Sequence, residues 1–238
     1  MDKVAILCPI AQVVFPDTFQ SALALVGYSA AHGIAVSHVG VTERTLIETA
    51  RNMLAEQFLK TDADWAFWID SDMEWPKDTL VQLLQTAKEK NTKMVTGIYY
   101  QRGGKHWPVL WVRDPSLENG KKAVHDNPTA YAQNEYLGTY ALPGPGRTSP
   151  FKVHAAGFGC TLIHRSVFEK MAPPFFDAIR GVCSEDFYFF VNAQKQGFDL
   201  WANPIPELVH QGNIQKITKD ACYKTLDEQA TQLEQIKS

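Results

Sequence analysis

Trp65-Ala66-Phe67-Trp68-Ile69-Asp70-Ser71-Asp72 places two carboxylates, one residue apart, directly after five apolar residues. An uninterrupted apolar run of this length reads as a central strand covered on both faces, the kind found in parallel sheets. In an open α/β sheet, ligands bind in the crevice at the carboxyl ends of the strands, which is where this pair would stand. Hard carboxylate oxygens suit Mn2+ or Mg2+, and such a cation grips phosphate oxygens. The motif therefore points to a metal–diphosphate site. A D-x-D pair also arises by chance: Asp62-Ala63-Asp64 precedes the run in a polar turn and reads as solvated surface.

Working outward, Val4 to Ile10 reads as a first strand, Phe19 to Ala31 as a helix and Ile34 to Val41 as a second strand. Thr42 is the expected N-cap of a second helix, with Leu46, Ala50, Met53, Leu54 and Phe58 at helical spacing. After the acidic pair, Pro76 suits the first turn of a third helix whose Leu80, Leu83, Leu84 and Ala87 form the buried side. Met94 to Tyr100 is a fourth strand. This alternation predicts an α/β fold, a doubly wound and mostly parallel central sheet flanked by helices. Arg113 to Pro150 breaks the pattern, being rich in Pro, Gly and Asn, as long functional connections often are. Phe151 to His164 returns to strand character around Gly157-Phe158-Gly159. Ser184 is placed to cap a helix running through Gln196, with Gly197 as its stop. Phe198 to Val209 reads as extended, and Thr218 to Lys237 as a last amphipathic helix.

Composition narrows the function. The 238 residues, 45% hydrophobic, suffice for one or two full cores. A net charge of −3 without a long basic run argues against a nucleic-acid backbone as the main partner. Cys8, Cys160, Cys183 and Cys222 show no C-x-x-C spacing, so neither a disulfide framework nor a zinc site is expected, and a reducing cytoplasm fits. No apolar stretch approaches the roughly 20 residues that span a bilayer. Met1-Asp2-Lys3 runs straight into strand character, unlike a signal peptide.

Four further places carry candidate chemistry. Glu185 and Asp186 open a helix, where acids are favoured by the helix dipole alone, but where one carboxylate could also take a proton from an acceptor hydroxyl. His210 follows an extended segment and precedes Gly212, an element end from which it could complete a metal shell. Arg51 could cover apolar surface with its stem, or offer its planar fork to phosphate. Gly157 and Gly159 mark a close approach by a ligand or by another backbone.

In order, Ala50-Arg51-Asn52, Trp68-Ile69-Asp70-Ser71-Asp72-Met73, Val95-Thr96-Gly97-Ile98-Tyr99, Ala156-Gly157-Phe158-Gly159-Cys160-Thr161-Leu162-Ile163-His164-Arg165, Ser184-Glu185-Asp186-Phe187-Tyr188-Phe189 and Gly197 through His210 resemble GT-A-fold glycosyltransferases. The likeness is strongest to family 2-like members of bacteria and phages. It implies one GT-A-like domain over residues 1–212, with a nucleotide-sugar-binding half (1–100), an acceptor and catalytic half (101–212) and a helical extension over 213–238. It makes Asp72 the direct Mn2+ or Mg2+ ligand, Asp70 a contact to the donor ribose or to the metal's water, and His210 the third protein ligand. Pro9-Ile10-Ala11 would border the base. Ser71, Arg51, Gly157 and Gly159 would complete the donor pocket.

The mechanism so implied is direct displacement on a nucleotide diphosphate-sugar, with a UDP-sugar as the family's commonest donor. Asp186, with Glu185 beside it, would be the base that deprotonates a hydroxyl of a glycan or, less commonly, of a nucleic acid or protein. The sugar's configuration would invert. Two other classes compete. A haloacid dehalogenase-type hydrolase also uses Asp-x-Asp, but on its first strand, and a downstream Asp-Asp metal pair is missing here. A non-catalytic nucleotide-sugar-binding module would keep the fold without turnover, and Asp72, Asp186 and His210 together argue against that.

Overall fold

The computed structural model describes residues 1–10, 13–102, 106–112, 139–141, 143–144, 146–180, 183–212 and 216–218. Its main sheet draws on β1 (Asp2–Pro9), β2 (Ile34–Thr42), β3 (Trp65–Ile69), β5 (Met94–Gly97), β8 (Phe151–Val153), β10 (Cys160–His164) and β11 (Leu200–Asn203). The strand order is β2-β1-β3-β10-β5-β11-β8. Five of the seven strands point the same way, and β10 and β8 run against them. The expected α/β architecture with a mostly parallel sheet is thus the observed one. The antiparallel β10, late in the chain, is inserted at the centre between β3 and β5.

The alternation along β3 explains the layers. Trp65, Phe67 and Ile69 join one core cluster with Leu25 of α1 (Pro16–Ala31) and Leu80, Leu83 and Leu84 of α3 (Thr79–Glu89). Ala66 and Trp68 join the opposite cluster, with α2 (Ile47–Leu59), α4 (Arg165–Lys170) and α5 (Glu185–Lys195). Every residue of β3 is buried, as an apolar strand between two helical layers must be. On the second face Trp68, Phe158, Phe168, Phe176, Phe189 and Phe190 meet ring to ring, with centroids between 4.8 and 6.3 Å apart. Edge-to-face packing of this kind adds to the area buried.

Two polar side chains lock distant segments. Arg165 donates to the carbonyls of Phe58, Leu59, Thr61 and Ala63 at 2.6–3.1 Å, and its guanidinium lies 4.8 Å from the Phe58 ring centre. It thereby satisfies the orphan carbonyls at the end of α2. Asn52 donates to the Phe176 carbonyl at 2.6 Å and accepts from Phe175 and Phe176 at 2.9 and 3.1 Å.

The ends of elements differ from the sequence expectation. Thr42 is the last residue of β2, in register with Pro9, and α2 begins only after Leu46, whose extended backbone makes no side-chain cap. Pro76 is outside α3: its carbonyl accepts from Thr79 in a turn, because buried Trp75, edge-on to Phe67, carries the chain past it before the helix can wind. The fourth strand, β5, ends at Gly97 rather than Tyr100. There a Cβ would lie 2.6 Å from Leu208. The strand character of Phe151 to His164 resolves into three strands, of which β9 (Ala155–Ala156) pairs with β6 (Leu110–Val112) in a small separate sheet that β7 (Thr139–Tyr140) completes. Ser184 does precede α5, and Gly197 follows it with a φ of 88°, as a glycine stop requires. Most of the 113–150 segment and the helix expected over 218–237 lie outside the described residues.

Candidate active site

The acidic pair leaves β3 as expected. Asp70 N–H donates to the Gly159 carbonyl at 3.4 Å, and the chain then turns into β4 (Met73–Glu74). β4 pairs with β12 (Val209–Gln211), so His210 lies opposite Met73, and Gln211 N–H donates to the Asp72 carbonyl at 2.8 Å. This short ladder carries His210 to the acidic pair: its Nε2 is 3.6 Å from Asp72 Oδ1. The ring is held from behind, with Nδ1 2.7 Å from the Tyr100 carbonyl and the Tyr99 ring edge-on at 5.5 Å. A carbonyl at Nδ1 calls for a proton there, which leaves Nε2 to face the carboxylate with a lone pair or a second proton.

A cavity of about 370 Å³ opens here, lined by Pro9, Arg51, Asp70, Ser71, Asp72 and His210 together with Tyr99 and Arg102. Six of the sequence-predicted residues are thus gathered in one place. A second hollow of similar size, about 380 Å³, lies beside Leu208 and Val209 but has Glu207 as its one acid.

The other predicted residues stand behind or beside this cavity. Arg51 is 4% exposed and sits over the Phe158 ring at 4.8 Å. Its Nη1 is 2.7 Å from Glu185 Oε1 and its Nη2 is 3.5 Å from Asp70 Oδ1. Glu185 is therefore held in an ion pair under the site. Asp186 is the freer acid at the start of α5, where it accepts from the Ser184 hydroxyl and from Phe187 N–H. Ser184 thus bonds Asp186 instead of capping the backbone with its own side chain. The charge of Asp186 is felt at Arg51, Asp70 and Tyr99. Gly157 and Gly159 lie between β9 and β10 and make room for a side chain: a Cβ on Gly157 would be 1.9 Å from the Tyr99 hydroxyl, and one on Gly159 2.9 Å from its ring. Ile10 is half-buried against the core, and Ala11 lies outside the described residues.

The two aspartates are pushed in opposite directions. Burial raises Asp70, with Asp72 adding to it and Arg51 opposing. Burial also works against Asp72, but His210 and then Arg102 outweigh it and hold this carboxyl below its usual range. Burial raises Glu185 despite Arg51. Burial likewise pushes the Cys8 and Cys160 thiols up to about 12, which makes them inert core residues. Asp62 and Asp64 are exposed, and Asp62 pairs with Lys3 at 2.6 Å, so the first D-x-D is surface.

Of the lining residues not singled out from the sequence, Tyr99 and Arg102 touch the site's own side chains. Arg102 Nη1 is 2.7 Å from Asp72 Oδ2. Both follow the end of β5, on the edge of the sheet where ligands bind, and that position was the available signal.

Among the described residues no three His, Cys, Asp or Glu side chains form a metal cage. Mn2+ and Mg2+ do not require one, since one or two protein ligands plus waters and phosphate oxygens are usual. Asp72 and His210 fit that demand, because two acceptor atoms 3.6 Å apart can both reach one ion at about 2.1 Å.

A mostly parallel sheet with an acidic cavity at its strand ends is the arrangement expected of a GT-A-fold glycosyltransferase, and the comparisons agree on the fold and the family. The sequence pattern of Glycosyl transferase family 2 matches residues 42–172, more than half of the chain, and the chain belongs to that family. Among solved structures it is similar to A197 from STIV, with a TM-score of 0.59, 18% identity, and coverage of 93% of this chain and 92% of that one. It is also similar to GalNAc-T7, crystallised with UDP, GalNAc and Mn2+, with a TM-score of 0.56 and 12% identity, and there it spans only 47% of the other chain. No curated protein sequence matches it. Among the described residues no helix is long and apolar enough to cross a membrane.

Proposed function

We propose that this glycosyltransferase is metal-dependent and moves a sugar from a nucleotide diphosphate-sugar, a UDP-sugar, to the hydroxyl of a glycan acceptor with inversion of configuration. The observation that carries this reading is the facing pair Asp72 and His210 at the carboxyl end of β3, inside one cavity with Asp70. The Mn2+ and UDP bound by GalNAc-T7 support it by analogy of fold. Asp72 and His210 would hold Mn2+ or Mg2+, which when bound would act as a Lewis acid for the departing diphosphate. Pro9 borders the base, and Asp70, fixed by Arg51, faces the ribose. Asp186 takes the proton from the acceptor hydroxyl as its oxygen bonds to the anomeric carbon and the bond to the diphosphate breaks. Glu185 is tied to Arg51, which is why Asp186 and not its neighbour takes the role of base. Residues 1–212 form the catalytic unit and 213–238 an extension.

The test is thermal unfolding against nucleotides and nucleotide-sugars with Mn2+, Mg2+ or a chelator, followed by transfer assays with the donor so found. A ligand at 100 times its dissociation constant adds about 2.7 kcal/mol of stability. That gain should require the metal and vanish in Asp72→Ala. Asp186→Asn should bind the donor normally and lose transfer. Full transfer by Asp186→Asn would remove it as the base.

A further inference from the structure

The segment leaving β5 touches both proposed metal ligands, His210 and Asp72. Tyr99 packs edge-on against the His210 ring, the Tyr100 carbonyl holds His210 Nδ1, and Arg102 holds Asp72 Oδ2. Its backbone is fixed: Val109 N–H donates to the Tyr99 carbonyl at 2.8 Å and Gln101 N–H to the Trp107 carbonyl at 2.9 Å. Arg102 therefore projects from a rigid base, yet its side chain is 53% exposed, whereas that of Asp72 is 13% exposed. A half-exposed ion pair is weakly held and readily exchanged.

We propose that Arg102 is an internal stand-in for the divalent cation, released by it to bind the diphosphate. The proposal rests on the donor-site reading above. Asp72 has one negative charge to share. A divalent cation on Oδ1 would bring two positive charges beside a guanidinium already on Oδ2 of the same carboxylate, and the two cations repel. The diphosphate brings several negative charges into the same cavity, and a guanidinium fork matches phosphate oxygens better than it matches a carboxylate already bound to a metal. Arg102 thus weakens binding of the cation alone and strengthens binding of cation and diphosphate together. Metal and donor then load as a pair.

The experiment measures two affinities on the full chain: Mn2+ alone, by the paramagnetic signal of the free ion, and pyrophosphate at saturating Mn2+, by calorimetry. Pyrophosphate carries the diphosphate without a base or sugar. Arg102→Gln should raise affinity for Mn2+ alone by roughly threefold to tenfold and lower that for pyrophosphate by about tenfold, the loss of a charged hydrogen bond. Arg102→Lys, which keeps the charge without the fork, should leave Mn2+ affinity near that of the unmodified protein and recover only part of the pyrophosphate affinity. Equal affinities in Arg102→Gln and the unmodified protein overturn the exchange and leave the donor site intact. An unmodified protein that binds neither probe overturns the donor-site reading and the exchange with it.

Discussion

Arg51→Met keeps most of the side-chain volume over Phe158 and removes the charge that Glu185 and Asp70 share. The guanidinium is 4% exposed, and its carboxylate partners are 12% and 26% exposed as side chains, so water cannot replace it well. Breaking a buried pair by removing one partner costs roughly 3–5 kcal/mol. For a chain of this size that lowers the melting temperature by about 10 °C. The loss also has a pH signature. Burial already raises both acids above their ordinary values, with Arg51 opposing, so the folded protein holds their protons more tightly than the unfolded chain does. Stability due to such groups is present at low pH and is lost as pH rises through the folded value. Without Arg51 both values climb further. The deficit of the variant should therefore be largest near neutral pH and smaller at an acid pH, as the two acids take up protons. Urea unfolding of both proteins at the two pH values measures it. A deficit under about 1 kcal/mol at neutral pH, the size of an exposed pair, would refute the buried triad. A deficit that grows on acidification would refute the sign.

Other outcomes follow from single contacts. Arg165→Ala removes a donor from four carbonyls around the end of α2, of which Phe58 keeps Thr61 as a partner, and should cost about 2–3 kcal/mol in denaturant unfolding, with Arg165→Lys recovering less than half, because one ammonium cannot reach the whole set. Gly157→Ala puts a methyl 1.9 Å from the Tyr99 hydroxyl and should destabilise by about 1–3 kcal/mol, as overpacking does, while adding Tyr99→Phe should return part of the loss in the same assay.

What could be read in the sequence was local. The run Trp65 to Ile69 declared a covered strand because both of its faces are apolar, and the acids behind it followed from where such strands end. His210 was legible as an element-end histidine, but its meeting with Asp72 depends on β4 pairing with β12, and no periodicity encodes that pairing. The insertion of β10 between β3 and β5 is likewise a long-range choice. Thr42 and Pro76 carry the residue chemistry of helix starts, yet strand pairing claimed one and the burial of Trp75 displaced the other. Gly157 and Gly159 did mark a close approach, but by the Tyr99 side chain rather than by another backbone. Arg102 had only its place after the end of β5 to mark it, since its residue type in a polar stretch is that of a wetted surface.

The place of β10 also sets a clock on the birth of the protein. When β5 has left the ribosome, both of its neighbours, β10 and β11, are still unmade, and about sixty residues separate Gly97 from Cys160. At 5–20 residues per second, that is an interval of roughly 3–12 s. Throughout it, β3 offers one bare apolar edge and β5 two, at the middle of the future sheet. The nascent chain cannot close its core in the order it is written, and must keep that slot free of other strands until Cys160–His164 arrives to fill it.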